Sequence, residues 1–481
     1  MFRVLLIGLP AVVRPKDDYL DDGHSFHLGL AYLGGMLRSE GYHVAILDCF
    51  AEDSRNLRPA SPGDEGWNEY GLTDEAIVAR VKDFSPDLIG ISIPFSCQHY
   101  VAEKVGRALK LNFPHVPLAA GGNHVTALPD RIDRSIFDYL LLGEGEYSFL
   151  SLVNALRSGS EPKDIDGLYQ GDKKCAAFIQ DLDRLPFPAI DLLPLNKLWR
   201  GGKRWINMFA TRGCNYDCVF CSIHTIMGYK IRRRSAENVI AEIKHWKKLY
   251  NIQEVYFEDD NLTTHVSWAK DLLRKIAACK FNIRFYVRNG IRADSIDKEL
   301  LILMKKAGFH DFMISPETGS QRTLDEIIGK RMKLSDCERA VQLAKEVGLG
   351  VNAFFVVGFP EETWEDLEQT FQYALRLKEM GCVGFWVSSA TPYPGTRFFE
   401  ECLSRRIIDL ETLDYRQLRT VDYLIQSPNF SSEELIQFRD KMMAALAPKK
   451  KTVIDKSAKA LRLLFSDPQF FWMKTRYKLG I

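Results

Sequence analysis

Three cysteines, Cys214, Cys218 and Cys221, stand in C-x3-C-x2-C spacing directly after the apolar run Trp205–Ala210. Thiolates are soft, charge-rich ligands, and three so close together can wrap one face of an iron–sulfur cube. Such a cube has one iron more than the cysteines supply, which leaves a metal position open for chemistry. The Cys218–Cys221 spacing also suits zinc, with His224 three residues further on as a completing ligand. Spacing by itself leaves both readings standing.

Other chemistry-bearing residues fall where elements end. Glu258, Asp259 and Asp260 follow an apolar strand pattern, and acids at a strand end can bind an ammonium or cap the following helix. Arg288 and Arg292 follow the next strand and could fork onto a carboxylate. Lys230, Arg232, Arg233 and Arg234 form the densest basic run, read as a solvated helix start or as a reach toward an anionic group. Asn352 and Phe355 are candidates to face an adenine and ribose. Near the N-terminus, Gly121-Gly122-Asn123-His124 and Gly143-Glu144 read either as tight turns or as places where a large ligand meets the backbone.

The elements that must position these residues follow two alternating patterns. Residues 1–156 run strand 4–9, helix 27–39, strand 44–47, surface loop 53–71, strand 87–94, helix 100–111, strand 116–120 and the pair 139–142 and 147–156. That alternation predicts an α/β domain with an open, mostly parallel Rossmann-like sheet. A proline-rich connector spans 157–200. Residues 201–400 then alternate strands 205–209, 254–257, 283–287, 311–315, 350–357 and 383–388 with helices 236–249, 267–278, 298–307, 334–347 and 363–380. Six strand–helix units or nearly so make a partial barrel, with its site at the strand carboxyl ends. Residues 401–481 read as mostly helical, with helices 432–446 and 454–464.

The cysteine spacing, with Phe220 before the last cysteine, resembles the signature of radical S-adenosylmethionine (radical SAM) enzymes. Pro316-Glu317-Thr318-Gly319-Ser320, Gly358-Phe-Pro-Glu-Glu362-Thr363 and Thr391-Pro-Tyr-Pro-Gly-Thr396 fall in that family's order. Residues 1–156 resemble the cobalamin-binding domain that precedes the barrel in one large subclass, through Leu28–Gly34, the strand with Ser92, Ala120–His124 and Leu142–Glu146. The resemblance implies a [4Fe-4S] cluster on Cys214, Cys218 and Cys221, and S-adenosylmethionine among Phe220, Glu258, Asp259, Asp260, Arg288, Glu317, Thr318, Asn352 and Phe355. It also implies cobalamin against Ser92, Gly121, Gly122, Asn123, Gly143 and Glu144. Asp22-Gly-His24-Ser-Phe-His27 nearly matches the loop whose histidine binds cobalt, with His27 where a glycine belongs; a turn role for His24 is preferred. Implied in turn is methylation of an unactivated carbon of a small-molecule substrate, with an external one-electron reductant such as flavodoxin or ferredoxin. The alternatives are radical cyclisation, rearrangement or ring contraction without methyl transfer, and a non-catalytic iron–sulfur or corrinoid carrier.

Composition narrows the partners. Hydrophobic residues make up 46% of 481, charged residues 26%, and the net charge is +1, a balance that gives no expectation of a nucleic-acid partner. No apolar run approaches a spanning length, the start reads as a buried strand, and the seven scattered cysteines read as small buried hydrophobes, which together suggest the cytoplasm. Phe470, Phe471, Trp472 and Met473 in the tail are read first as core or lid packing and second as peripheral membrane contact.

Overall fold

A computed structural model describes residues 1–14, 27–54, 56–60, 66–171, 176–199, 203–420, 422–425 and 427–447. His24, Cys175 and the expected helix 454–464 with the aromatic tail lie outside them. The chain forms two compact units, Met1–Ala177 with Leu185–Lys203 and Phe178–Arg184 with Arg204–Pro448. The connector is thus divided between them. No helix among the described residues is long and apolar enough to cross a membrane.

In the first unit, strands β1 (Arg3–Gly8), β2 (His43–Asp48), β3 (Leu88–Ser92), β4 (Leu118–Gly121) and β5 (Tyr139–Leu141) form one parallel sheet in the order β2-β1-β3-β4-β5. Both faces of β1 are buried. Leu5 and Ile7 join one apolar cluster with Ile89, Ile91 and Val105, while Val4 and Leu6 join another with Leu37, Leu88 and Phe149. Burial on both faces is why the strands read as unbroken apolar runs instead of alternating ones. The strand order reverses between β1 and β3, and open sheets of this kind bind ligands at that switch point.

Segment 53–71, expected as a surface loop, contains two short strands. Leu57–Pro59 and Asn68–Tyr70 pair antiparallel with each other, and Asn68–Tyr70 also pairs with Ala11–Val13. Strands of this length carry too little periodicity to register in sequence, and Ala11–Val13 is remote in the chain. Tyr70 becomes fully buried as a result.

The second unit contains β6 (Trp205–Met208), β7 (Glu254–Phe257), β8 (Arg284–Val287), β9 (Asp311–Glu317), β10 (Gly350–Val357) and β11 (Gly384–Ser389). β6-β7-β8 and β9-β10-β11 are parallel in chain order, and parallel bridges Phe285↔Phe309 and Ile291↔Ile314 join the two groups. The helices between them are Ala236–Tyr250, Val266–Cys279, Lys298–Ala307, Leu334–Val347 and Trp364–Met380. Ser235, Asp297 and Thr363 cap three of these starts through their side chains. Arg397–Ser404 and Ser432–Leu446 follow.

One face of each of the strands β6 to β10 is buried, as with Met208, Val255, Phe257, Phe285, Phe312, Ala353 and Phe355. Alternate residues such as Tyr256, Tyr286, Met313, Asn352 and Phe354 are half-buried and line the other face. Asn352 and Phe355 are three apart in one strand, so they point to opposite faces. Phe355 belongs to the buried core, and the expectation that both face a ligand is corrected. The scattered cysteines also divide. Cys49, Cys337, Cys382 and Cys402 are buried as expected, whereas Cys97 and Cys279 are only partly so.

Phe257, Phe285 and Phe309 stack as a triangle of rings, with centroids 6.1, 5.6 and 6.3 Å apart. Phe285→Ala should cost about 3–5 kcal/mol and lower the thermal midpoint of the purified protein. An unchanged midpoint would show that this stack does not hold β7 and β8 together.

Candidate functional site

The cysteine loop leaves β6 through Phe209 and Ala210, and the fold grips that exit from two sides. Asp259, fully buried at the end of β7, accepts the backbone N–H of Ala210 at 3.1 Å and the N–H and hydroxyl of Thr211 at 2.5 and 2.7 Å. On the other side Arg234 donates to the Phe209 carbonyl at 2.9 Å and pairs with buried Glu242 at 2.5 Å. Thr211–Arg212 pairs with Arg232–Arg233 in a small ribbon. Arg232 is also buried and donates to the Ile179 and Met227 carbonyls. The basic run is therefore divided: Lys230 and Arg233 are exposed, whereas Arg232 and Arg234 are bolts behind the cysteine loop.

The loop then turns at Gly213, whose φ is +89° and whose missing Cβ would meet the Lys230 carbonyl oxygen at 2.6 Å. Only glycine fits there. Beyond it, Val219 donates to the Ile328 carbonyl at 3.0 Å and accepts from the Phe398 N–H at 3.0 Å. Ile328 closes a π-helical turn, Thr323–Ile328, of a kind found mostly at functional positions. Arg292 is buried, lies 3.6 Å from the Tyr216 ring centroid, donates to the Lys330 carbonyl at 3.0 Å and pairs with Asp294 at 2.7 Å. Phe220 packs beside Phe359 at 5.9 Å.

The three thiols are free and partly buried. Burial raises the pKa of each, that of Cys221 to about 12, while Lys330 and Arg292 oppose this at Cys218. Thiols in such a place become ligands only when a cationic group replaces their protons, which fits iron. Among the described residues no three His, Cys, Asp or Glu side chains come together around a single ion. His224 turns away from the thiols: its Nε2–H donates to the Cys214 carbonyl at 3.0 Å and its ring stacks on Tyr229 at 3.8 Å. The donor set fits a cluster and disfavours zinc.

The strand-end acids have different employment. Asp259 is committed to the backbone, and burial raises its pKa to about 6 against those hydrogen bonds. Glu258 is held by Asn207 Nδ2 and lies 3.7 Å from Arg288 Nε. Arg288 in turn lies 4.5 Å over the Tyr256 ring. Asp260 lies near the thiols; burial, with the charge of Asp259, raises its pKa to about 7.

At the end of β9, Glu317 adopts φ +66°, is buried and pairs with buried Lys330 at 2.5 Å. Thr318 is buried, shares a hydrogen bond with Thr370 at 2.9 Å and accepts the Ser320 N–H at 3.1 Å, so its hydroxyl serves an internal network. Asn352 donates to Asp311 at 3.3 Å. Asn207, Lys330 and the embrace of Arg292 were not foreseen. Lys330 is a lone lysine between glycine and arginine in sequence, and nothing local reports that it will be buried.

In the first unit, Ser92 and Gly121 are register partners at the carboxyl edge of β3 and β4. Gly122 has φ +109°, and a Cβ there would strike the Ile93 backbone at 2.8 Å, whereas one at Gly121 meets nothing closer than 3.5 Å. Gly122 is thus demanded by the turn, and the space before Gly121 is left for something else. Thr126 couples two glycine loops by donating to the Gly122 carbonyl at 2.9 Å and accepting the Gly143 N–H at 3.0 Å. Asn123 and Glu144 stand at the starts of the helices that follow, and Glu144 is buried. The six residues collect along the ends of neighbouring strands, where such sheets bind ligands.

Comparison with known proteins finds a match for each unit. The radical SAM superfamily model matches residues 208–374, and the B12 binding domain model matches 22–153. An uncharacterized methyltransferase, PH0819, of Pyrococcus horikoshii is 33% identical over 85% of this chain and 84% of its own. The cytidylyl-2-hydroxyethylphosphonate methyltransferase of Streptomyces wedmorensis is 30% identical over 82% and 80%. The fold is shared with the radical S-adenosylmethionine methyltransferase TsrM of Kitasatospora setae, solved with cobalamin and a [4Fe-4S] cluster, at 16% identity, 99% coverage of each chain and TM-score 0.68. The chain belongs to the radical SAM superfamily, in the group whose members carry a B12-binding domain.

Buried Asp260 makes the stability of the cluster-free protein depend on pH. Between about 3.8, its ordinary value, and about 7, the folded state keeps a proton that the unfolded chain has lost. Stability of the cluster-free protein therefore gains a falling component as pH rises through that window. Asp260→Asn should remove it, so the variant gains on the parent protein between pH 4 and 7 in parallel denaturant titrations; curves with constant separation would refute this.

Proposed function

We propose that this chain is a cobalamin-dependent radical SAM methyltransferase that methylates an unactivated carbon of a small-molecule substrate. The observation that carries the reading is the gripped three-cysteine loop at the carboxyl edge of a partial barrel, in a chain that also has a B12-binding sheet. Methyltransferase relatives that match over four-fifths of their own length support methyl transfer over cyclisation.

Bound S-adenosylmethionine and cobalamin supply the radical and methyl chemistry, and a [4Fe-4S] cluster supplies the electron, drawn from an external reductant of flavodoxin or ferredoxin type. The chain's own residues orient and insulate. Cys214, Cys218 and Cys221 would hold the cluster. Glu258, half-buried beside Arg288, offers a carboxylate to the amino group of S-adenosylmethionine, and Arg288 offers a fork to its carboxylate. Asp259 does not contact a ligand in this scheme; it keeps the cysteine loop in place. Phe220 and Phe359 make an apolar wall that limits water at the loop. Ser92, Gly121, Gly122, Asn123, Gly143 and Glu144 form the edge that receives the cobalamin.

The test is anaerobic reconstitution with iron, sulfide and cobalamin, followed by mass spectrometry of products formed from S-adenosylmethionine with a labelled methyl group. Label in a carbon-bound methyl, together with 5'-deoxyadenosine and S-adenosylhomocysteine, is the expected result. Substrate-dependent turnover without label transfer would refute methylation. Cys218→Ala should abolish both the cluster absorption and 5'-deoxyadenosine formation, and retained cleavage would overturn the cluster assignment. Glu258→Gln should weaken S-adenosylmethionine binding about tenfold with the cluster intact, measured by equilibrium dialysis of the reconstituted protein.

A further inference from the structure

The solvent side of the cysteine loop carries a small aromatic patch. Tyr229 is 57% exposed and Phe178 37%. The two are neighbours, because a Cβ on Gly228, the residue before Tyr229, would lie 3.5 Å from the Phe178 ring. Although exposed, the Tyr229 ring is held in place. It stacks on His224 at 3.8 Å and 8°, and His224 Nε2 lies 3.0 Å from the Cys214 carbonyl oxygen. A carbonyl can only accept, so the imidazole donates there. One stacked ring and one hydrogen bond thus join an exposed aromatic surface to the backbone of a cysteine of the loop.

Exposed cations surround this patch. Lys230 follows Tyr229 and donates to Gln180 Oε1 at 3.2 Å. Arg397, 54% exposed, donates to the Asp217 carbonyl at 2.8 Å and lies 3.4 Å from the Asp217 carboxylate. The Tyr229 hydroxyl reaches the same carboxylate at 3.4 Å. A Cβ on Gly329 would lie 3.7 Å from the Asp217 carbonyl oxygen and 3.8 Å from Arg397, which brings exposed Arg331 beside the same loop. Arg331 adopts φ +53°, and its carbonyl accepts from Arg292 at 3.3 Å, so its position is pinned. Among the described residues neither Lys230 nor Arg331 has an acidic partner. The acids of the preceding turn, Asp325 and Glu326, face Gln321 and Arg322. Asp217 is already engaged, so the face is positive. Such a face speeds encounter with an acidic partner, and the gain falls as salt rises.

We propose that this patch is where the external reductant docks, and that the partner is an acidic carrier of flavodoxin type. The apolar edge of its flavin meets Tyr229 and Phe178, and its surface carboxylates meet Lys230, Arg331 and Arg397. This rests on the reading of Cys214, Cys218 and Cys221 as cluster ligands. One electron is transferred: the anionic flavin hydroquinone is oxidised to the neutral semiquinone and the cluster is reduced, with no bond made or broken. The positive face selects an acidic carrier over a basic one. The exposed rings select a flat, apolar cofactor edge over a polar surface. His224 acts as a positioning residue, because it fixes the Tyr229 ring beside the loop.

The experiment follows bleaching of the cluster absorbance by anaerobic stopped flow in the reconstituted full-length holoenzyme. The donors are flavodoxin hydroquinone and reduced methyl viologen, a small cation that needs no docking face. The proteins are the parent, Tyr229→Ala, Tyr229→Phe, and a charge reversal combining Lys230→Glu with Arg331→Glu. The charge reversal should slow reduction by flavodoxin about tenfold at low salt, and the difference should shrink as salt rises. Tyr229→Ala should slow it about tenfold as well, whereas Tyr229→Phe, which keeps the ring, should stay close to the parent. None of the variants should be slower with viologen. Unchanged flavodoxin rates in the charge reversal would overturn the proposal, as would equal slowing with both donors, which marks a disturbed cysteine loop. A parent cluster that viologen reduces and flavodoxin does not would also overturn it. A parent protein that assembles no cluster would overturn the cluster reading and the proposal together. A cluster that flavodoxin reduces in a protein that transfers no methyl group would support the docking face and count against the methyltransferase reading alone.

Discussion

Buried charge grips the stretch Phe209–Thr211 from two sides, and the cysteine loop depends on that grip. Asp259 accepts from one side of that stretch and Arg234 donates from the other, with Glu242 balancing Arg234 behind. A buried carboxylate without partners would cost several kcal/mol or keep its proton. Here three backbone and hydroxyl donors answer it, and the exchange fixes a segment that would otherwise be a mobile lead-in to the ligands. Removing one member would strand the others in a dry environment, so the network is all or nothing. Thiols presented to a four-iron group must keep their mutual spacing before the group arrives, and this grip supplies that rigidity.

Both units solve the same positioning problem with parallel strands. Such strands deliver their loops to one edge, so residues far apart in the chain become neighbours without long-range turns. In the second unit that edge gathers the cysteine loop, Glu258, Arg288 and the Glu317–Lys330 pair. In the first it gathers Ser92 with two glycine loops, locked together by Thr126. The left-handed turns at Gly122 and Gly213 serve close packing of loop on loop, and each would meet backbone if given a side chain. Rigid loops are costly to assemble, and that cost is met by the fully buried apolar faces of the same strands.

How much of this was legible in sequence varied with the range of the determining interaction. Most strands and long helices were read within a few residues, because burial imprints its period on the chain, but the helix Asp74–Phe84, with only Ile77 and Val81 buried, was not. β9 ran longer than expected, through Pro316 to Glu317, where the register with β10 shifts. The ribbon Ala11–Val13 with Asn68–Tyr70 was missed because its strands are short and their pairing is distant. Arg232 and Arg234 were misread because four neighbouring basic residues look solvated until a buried acid such as Glu242 is found facing one of them. The face that Phe355 presents is not fixed by its place in the order of elements, and the fold turns it into the core.

The sequence by itself determined the kinds of group available and their order: three thiols at cluster spacing, acids and arginines at strand ends, glycines where loops must turn tightly. These are local facts, set by spacing along a chain of fixed geometry. Only the tertiary structure decided which of them are spent on the protein. Asp259 and Thr318 became internal braces, Lys330 emerged as the partner of Glu317, and His224 turned from the thiols to the Cys214 carbonyl. The reason is that burial and pairing belong to neighbours in space. A carboxylate is the same residue in sequence whether it faces a ligand or a backbone amide, and the fold alone says which.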